Sequence, residues 1–104
     1  MSTEVTDHPD RGRYEIAEDG EVVGLATYRL ADGVLEVDHT EVDLAHRGRG
    51  VAAELVGTVL DDARSRGLQV LPHCPYVADF IGARRGEYLD LVPEGRRAQF
   101  GLDG

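Results

Sequence analysis

Between Val42 and Ala52 the periodicity of the chain changes from that of a strand to that of a helix, with a glycine-rich turn at the change. Upstream, residues 34–42 alternate. Leu35, Val37 and His39 fall on one face, and Glu36, Asp38, Thr40 and Val42 on the other. Downstream, Ala52, Leu55, Val56, Val59, Leu60 and Ala63 recur at the spacing of one helical face. Arg64 and Arg66 complement the dipole of the last turn, and Gly67 is the expected stop. A chain that passes from strand to amphipathic helix through so short a turn must place the helix N-terminus beside the strand end.

The flanking segments extend this frame. Asp19-Gly20 and Ala31-Asp32-Gly33 are turn signals that divide the region before the helix into strands over 13–17, 22–30 and 34–42. Turns this short require antiparallel neighbours. After the helix, residues 68–71 read as a fourth strand, ended by Pro72 and reached through a helix, so parallel to the third. Residues 76–84 read as a second helix with Pro75 at its start, and 88–92 as a short last strand. The order is β-β-β-α-β-α, an α+β fold with a mixed, mostly antiparallel sheet. Residues 1–12 read as a flexible arm and 93–104 as a polar tail, leaving 13–92 as the domain.

Composition narrows the function. At 104 residues the chain holds one core. It has no run of about eighteen apolar residues that would span a membrane. Its polar, acidic start is unlike a targeting peptide, so a cytoplasmic location is expected. The net charge of −9 argues against nucleic-acid binding. It suits a cationic or amine partner, or simply solubility. The single cysteine excludes an internal disulfide, and no Cys/His cluster has metal-ligand spacing. A monomer or weak homodimer is expected.

The turn Arg47-Gly48-Arg49-Gly50-Val51-Ala52 has the features of an anion site. Helix-start N–H groups are unpaired, the dipole is positive there, and glycines let a ligand approach the backbone. Neither the P-loop nor the dinucleotide-binding spacing is present. A purely structural glycine turn remains an alternative.

This hexapeptide fits the Arg/Gln-x-x-Gly-x-Gly/Ala signature of the GCN5-related N-acetyltransferases. With Leu35-Glu36-Val37-Asp38-His39-Thr40-Glu41-Val42 and Val70-Leu71-Pro72-His73-Cys74-Pro75-Tyr76-Val77, the chain resembles the small single-domain, YjdJ-type branch over roughly residues 13–92. The resemblance implies an acetyl-CoA-binding fold and an N-acetyltransferase activity toward an unidentified amine, with acetyl-CoA or coenzyme A as co-substrate and no metal. It implies that the strand ending at Val42 faces the pantetheine arm, and that Arg47, Gly48, Arg49, Gly50, Val51 and Ala52 hold the pyrophosphate, with Leu44 and Tyr76 completing the cofactor site. The stretch Arg84-Arg85-Gly86-Glu87-Tyr88 departs from the branch, and no counterpart of the N-terminal helices that form the acceptor site in longer members is expected. A non-catalytic module binding CoA or acyl-CoA is the alternative reading, and a partner domain that binds no nucleotide is a third.

Three side chains are candidate catalysts. Cys74, between Pro72 and Pro75, is a nucleophile for a covalent acetyl intermediate or a small buried hydrophobe. His39 is a general base or a core histidine, and Glu41 a proton acceptor or a solvated carboxylate. Tyr76 and Tyr88 are proton donors to a leaving thiolate or packing aromatics. Thr40 reads as a β-former.

Overall fold

Strands Thr3–His8 (β1), Arg13–Glu18 (β2), Glu21–Ala31 (β3), Val34–Val42 (β4) and Gln69–Pro72 (β5) lie side by side in chain order in one sheet. The computed structural model describes residues 2–47 and 50–103. β1 to β4 are antiparallel neighbours, and β5 runs parallel to β4. Asp19 and Gly20, and Asp32 and Gly33, all have positive φ, the conformation that lets a two-residue hairpin follow the strand twist. Between β4 and β5 the chain crosses through helix α1, Val51–Ser65. Helices α2, Pro75–Gly82, and α3, Arg85–Tyr88, follow β5.

One core joins the sheet to the helices. Tyr14, Ile16, Ala26, Leu35, Val37 and Val70 from the strands meet Leu55, Val56, Val59 and Leu60 of α1 and Val77 and Ile81 of α2. The expected helical stripe is therefore the buried one. Tyr14 donates a hydrogen bond to Asp62 of α1, and the Phe80 ring passes close to Gly57. The opposite face of the sheet carries paired charges: Glu15 with His8, Arg11 and Arg13, and Arg29 with Glu36 and Asp38. No helix among the described residues is long and apolar enough to cross a membrane.

The structure corrects the reading of both ends. Residues 3–8 form edge strand β1, paired with β2 from Thr3↔Glu18 to His8↔Arg13. Val5 is its one large apolar residue, so backbone pairing rather than propensity makes the strand. The last strand expected over 88–92 is replaced by α3 and a 3₁₀ turn at Leu89–Leu91. Here Tyr88 donates to Asp61 and Arg64 grips Asp90, so α1 rather than β5 claims the segment. Residues 93–104 are not merely a polar tail. Leu102 is 3% exposed, its carbonyl accepts from Arg85, and Arg97 donates to the carbonyls of Val92 and Leu89.

A bulge in β4 shapes everything downstream. Tyr28 pairs with Val37 and Thr27 with His39, so Asp38 is an extra residue without a partner on β3. The alternation therefore slips by one. His39 leaves the apolar face expected for it and is exposed, while Thr40 and Val42 turn to the helix side.

Candidate functional site

β4 and β5 pair only as far as Val37↔Pro72. One further bond, from the Cys74 N–H to the Val37 carbonyl at 3.1 Å, closes the apex. Beyond it the chain after β5 turns into α2 at Pro75, while β4 runs on to Val42 with β3 on one side only. The opening holds a cavity of about 620 Å³. One wall is His39–Val42 of β4 (residues 39–42). A second is His46 and Arg47 with the first turn of α1, Gly50 to Ala53, and Tyr76 of α2 closes the third.

The α1 end of this cavity presents helix-start N–H groups beside an arginine. Gly50 is the N-cap, with φ +78° and no side-chain cap. The first intrahelical bond runs from the Glu54 N–H to the Gly50 carbonyl. The N–H groups of Val51, Ala52 and Ala53 precede it and lack intrahelical partners. Arg47 donates to the Val42 carbonyl at 3.3 Å, placing its guanidinium where strand and helix approach. Gly48 and Arg49, also expected to hold the pyrophosphate, lie outside the described residues.

The turn before the helix is tied down at several points. The Asp43 N–H donates to the Val23 carbonyl, the Asp43 carboxylate accepts from the Ala45 N–H, and the His46 N–H donates to the Asp43 carbonyl. His46 Nε2 lies 3.0 Å from the Glu18 carboxylate and Nδ1 lies 3.6 Å from that of Asp43. Leu44 caps this turn from outside: it is 74% exposed and is not part of the cavity wall.

The candidate catalysts separate. His39 and Glu41 line the cavity as an exposed pair, 3.5 Å apart. Cys74 does not line it. The thiol is 5% exposed, sits in the core and lies 3.3 Å from the Thr40 hydroxyl. Thr40 is the residue that reaches the cavity. Tyr76 lines the cavity, whereas Tyr88 is buried against α1. Burial, then its hydrogen bond to Asp61, raises the Tyr88 phenol pKa, which makes it a poor proton donor to a substrate. His73 faces the other side of the sheet, 2.8 Å from Glu36 and edge-on to Phe100.

Thr40, His46 and Ala53 are the lining residues that sequence reasoning missed. Strict alternation sent Thr40 to the wrong face, because a bulge leaves no compositional mark. His46 carried a weak signal, since it immediately precedes the Arg-Gly turn.

Residues 13–91 match the family described as GCN5-related N-acetyl-transferase. The chain belongs to this family. No curated protein matches it. Among solved structures, the chain is similar to a GCN5-like protein of Staphylococcus aureus, at 22% identity and TM-score 0.59, over 86% of this chain and 87% of that one. It is also similar to the ribosomal-protein-S18-alanine N-acetyltransferase of Escherichia coli, at 15% identity and TM-score 0.54, over 56% of this chain. It spans only 38% of that enzyme's length. A third likeness is to the N-acetylglutamate synthase of Neisseria gonorrhoeae, solved with coenzyme A and N-acetyl-glutamate: 20% identity, TM-score 0.55, over 96% of this chain and 27% of that one. These likenesses establish a GCN5-related acetyltransferase fold, here with a sheet of five strands among the described residues.

Proposed function

We propose that this protein binds acetyl-CoA in the opening between β4 and β5 and transfers the acetyl group directly to an amine. The observation that carries the reading is the cavity itself, a cleft along the free side of β4 that ends at the uncapped N-terminus of α1 beside Arg47. In this arrangement the pyrophosphate accepts hydrogen bonds from the N–H groups at the start of α1 and from Arg47. The pantetheine arm, which carries amides, lies along β4 from Val42 toward His39 like an added strand. The thioester then sits near Thr40 and Tyr76.

The acceptor nitrogen attacks the thioester carbonyl carbon, a C–N bond forms and the C–S bond breaks. The amine loses a proton to the exposed His39–Glu41 pair, and the departing CoA thiolate takes one up from Tyr76 or water. The burial of Cys74 behind Thr40 favours this direct route over an acetyl-cysteine intermediate. The acidic chain suits an acceptor that is cationic in solution.

Calorimetry with CoA, followed by thiol release from acetyl-CoA with a panel of amines, tests both halves. Heat of binding with amine-dependent thiol release is expected. Binding without turnover would reduce the protein to a CoA-binding module, and no heat with no thermal shift would remove the reading altogether.

A further inference from the structure

His46 combines three features. It lines the cavity at the diphosphate end, it precedes Arg47 in the chain, and its Nδ1 is buried without a hydrogen-bond partner among the described residues. Buried ring nitrogens are nearly always satisfied, so an orphan one asks for an explanation. The surroundings supply it. Nε2 is 3.0 Å from the Glu18 carboxylate at the end of β2, and Nδ1 is 3.6 Å from the Asp43 carboxylate in the turn. A neutral imidazole that donates from Nε2 to Glu18 would aim an Nδ1 lone pair at a second carboxylate. An imidazolium donates from Nε2 to Glu18 and turns a positive Nδ1–H toward Asp43 across 3.6 Å.

We propose that His46 is a positioning residue of the anion site, whose imidazolium bridges Glu18 and Asp43 and so fixes the turn that carries Arg47. The inference rests on the reading of the cavity as a CoA site. Glu18 and Asp43 are the carboxylates facing the imidazole, from β2 and from the turn, and Arg47 and the rim carboxylate Glu41 are the other charged groups described around this end of the cavity. When His46 loses its proton, a positive charge beside Glu18 and Asp43 is removed and the His46–Glu18 tether weakens. Both effects oppose anion binding.

The test is the pH dependence of affinity, measured by calorimetry with dephospho-CoA, which lacks the phosphomonoester that would itself titrate near neutrality. Between pH 5.5 and 8 the wild-type affinity should fall by about tenfold. His46→Gln should bind weakly with a flat profile, and His46→Lys, permanently charged, should restore affinity at the alkaline end. A measurement on the unaltered protein stands beside these. By reciprocity of linkage, dephospho-CoA must raise the titration midpoint of His46 followed by imidazole NMR. A midpoint that does not move, or a wild-type profile shared by His46→Gln, overturns the inference while leaving CoA binding intact. Failure of the wild type to bind dephospho-CoA or CoA at any pH sinks the CoA reading and this inference with it.

Discussion

The Thr40 hydroxyl lies 3.3 Å from the Cys74 sulfur, and the two residues belong to different environments, Thr40 to the cavity wall and Cys74 to the core. A nucleophile has to reach the thioester carbonyl, and here Thr40, not Cys74, lines the cavity. Cys74→Ala is therefore expected to keep acetyl transfer within a few-fold of wild type. It should lower stability by about 1 kcal/mol through the small void left behind. Intact-mass spectrometry after incubation with acetyl-CoA should show no acetyl adduct on Cys74, and an adduct formed at the rate of turnover would contradict the direct route.

The Arg47 side chain has one hydrogen bond among the described residues, to the Val42 carbonyl at the rim of the cavity. Its removal should cost little stability. Arg47→Ala should instead weaken CoA binding by about tenfold, the worth of one charge-assisted hydrogen bond to a phosphate. Titration calorimetry and a thermal melt on the same sample separate the two effects. Unchanged affinity would mean that the diphosphate lies elsewhere.

Gly50 caps α1 with φ +78°, and a Cβ built there would meet nothing within 4 Å. The cost of Gly50→Ala is thus one of backbone conformation alone, about 1 to 2 kcal/mol in the left-handed region. Urea denaturation measures it. A larger loss would point to a contact that the cavity geometry does not show.

Tyr14 and Tyr28 predict an alkaline weakness. Burial, then hydrogen bonds to Asp62 and Asp7 respectively, raises both phenol pKa values above the ordinary value near 10. A group whose pKa is raised on folding lends stability that is complete below the unfolded value and is lost as pH climbs toward the folded one. Stability should accordingly be level up to about pH 9 and fall above pH 10. Tyr14→Phe should be less stable at neutral pH but show a shallower alkaline decline in urea midpoints taken across that range.

Leu102 connects the end of the chain to the core, packing by Gly82 of α2. Leu102→Ala should destabilise the protein by about 2 to 4 kcal/mol, as for other buried leucines. CoA affinity should be unchanged, because Leu102 packs by Gly82 at the end of α2 while α2 meets the cavity at Tyr76 near its start. A surface-like loss of a few tenths of a kcal/mol would show that the tail does not hold its place.

Much of this architecture was legible in the residues. The two Asp-Gly turns set the hairpins, the spacing from Leu55 to Ala63 set the buried face of α1, and Gly50 marked where the helix begins. These signals are local. A turn type depends on the φ values two residues accept, and a helical face depends on a repeat of three and four.

Other features were decided by partners distant in sequence. Val5 alone could not announce β1, which exists because β2 offers it a ladder. Residues 88–92 were strand-like by composition but are held by Asp61 and Arg64 on α1. The bulge at Asp38 moved His39 out and Thr40 in, and the burial of Cys74 followed from where α2 begins. By itself the sequence determined where a helix N-terminus and a strand end must meet, because that junction is written in one continuous stretch from Val42 to Ala52. Only the tertiary structure decided which side chains face the resulting cavity, because register and splay are set by pairing between strands and leave no pattern within either one.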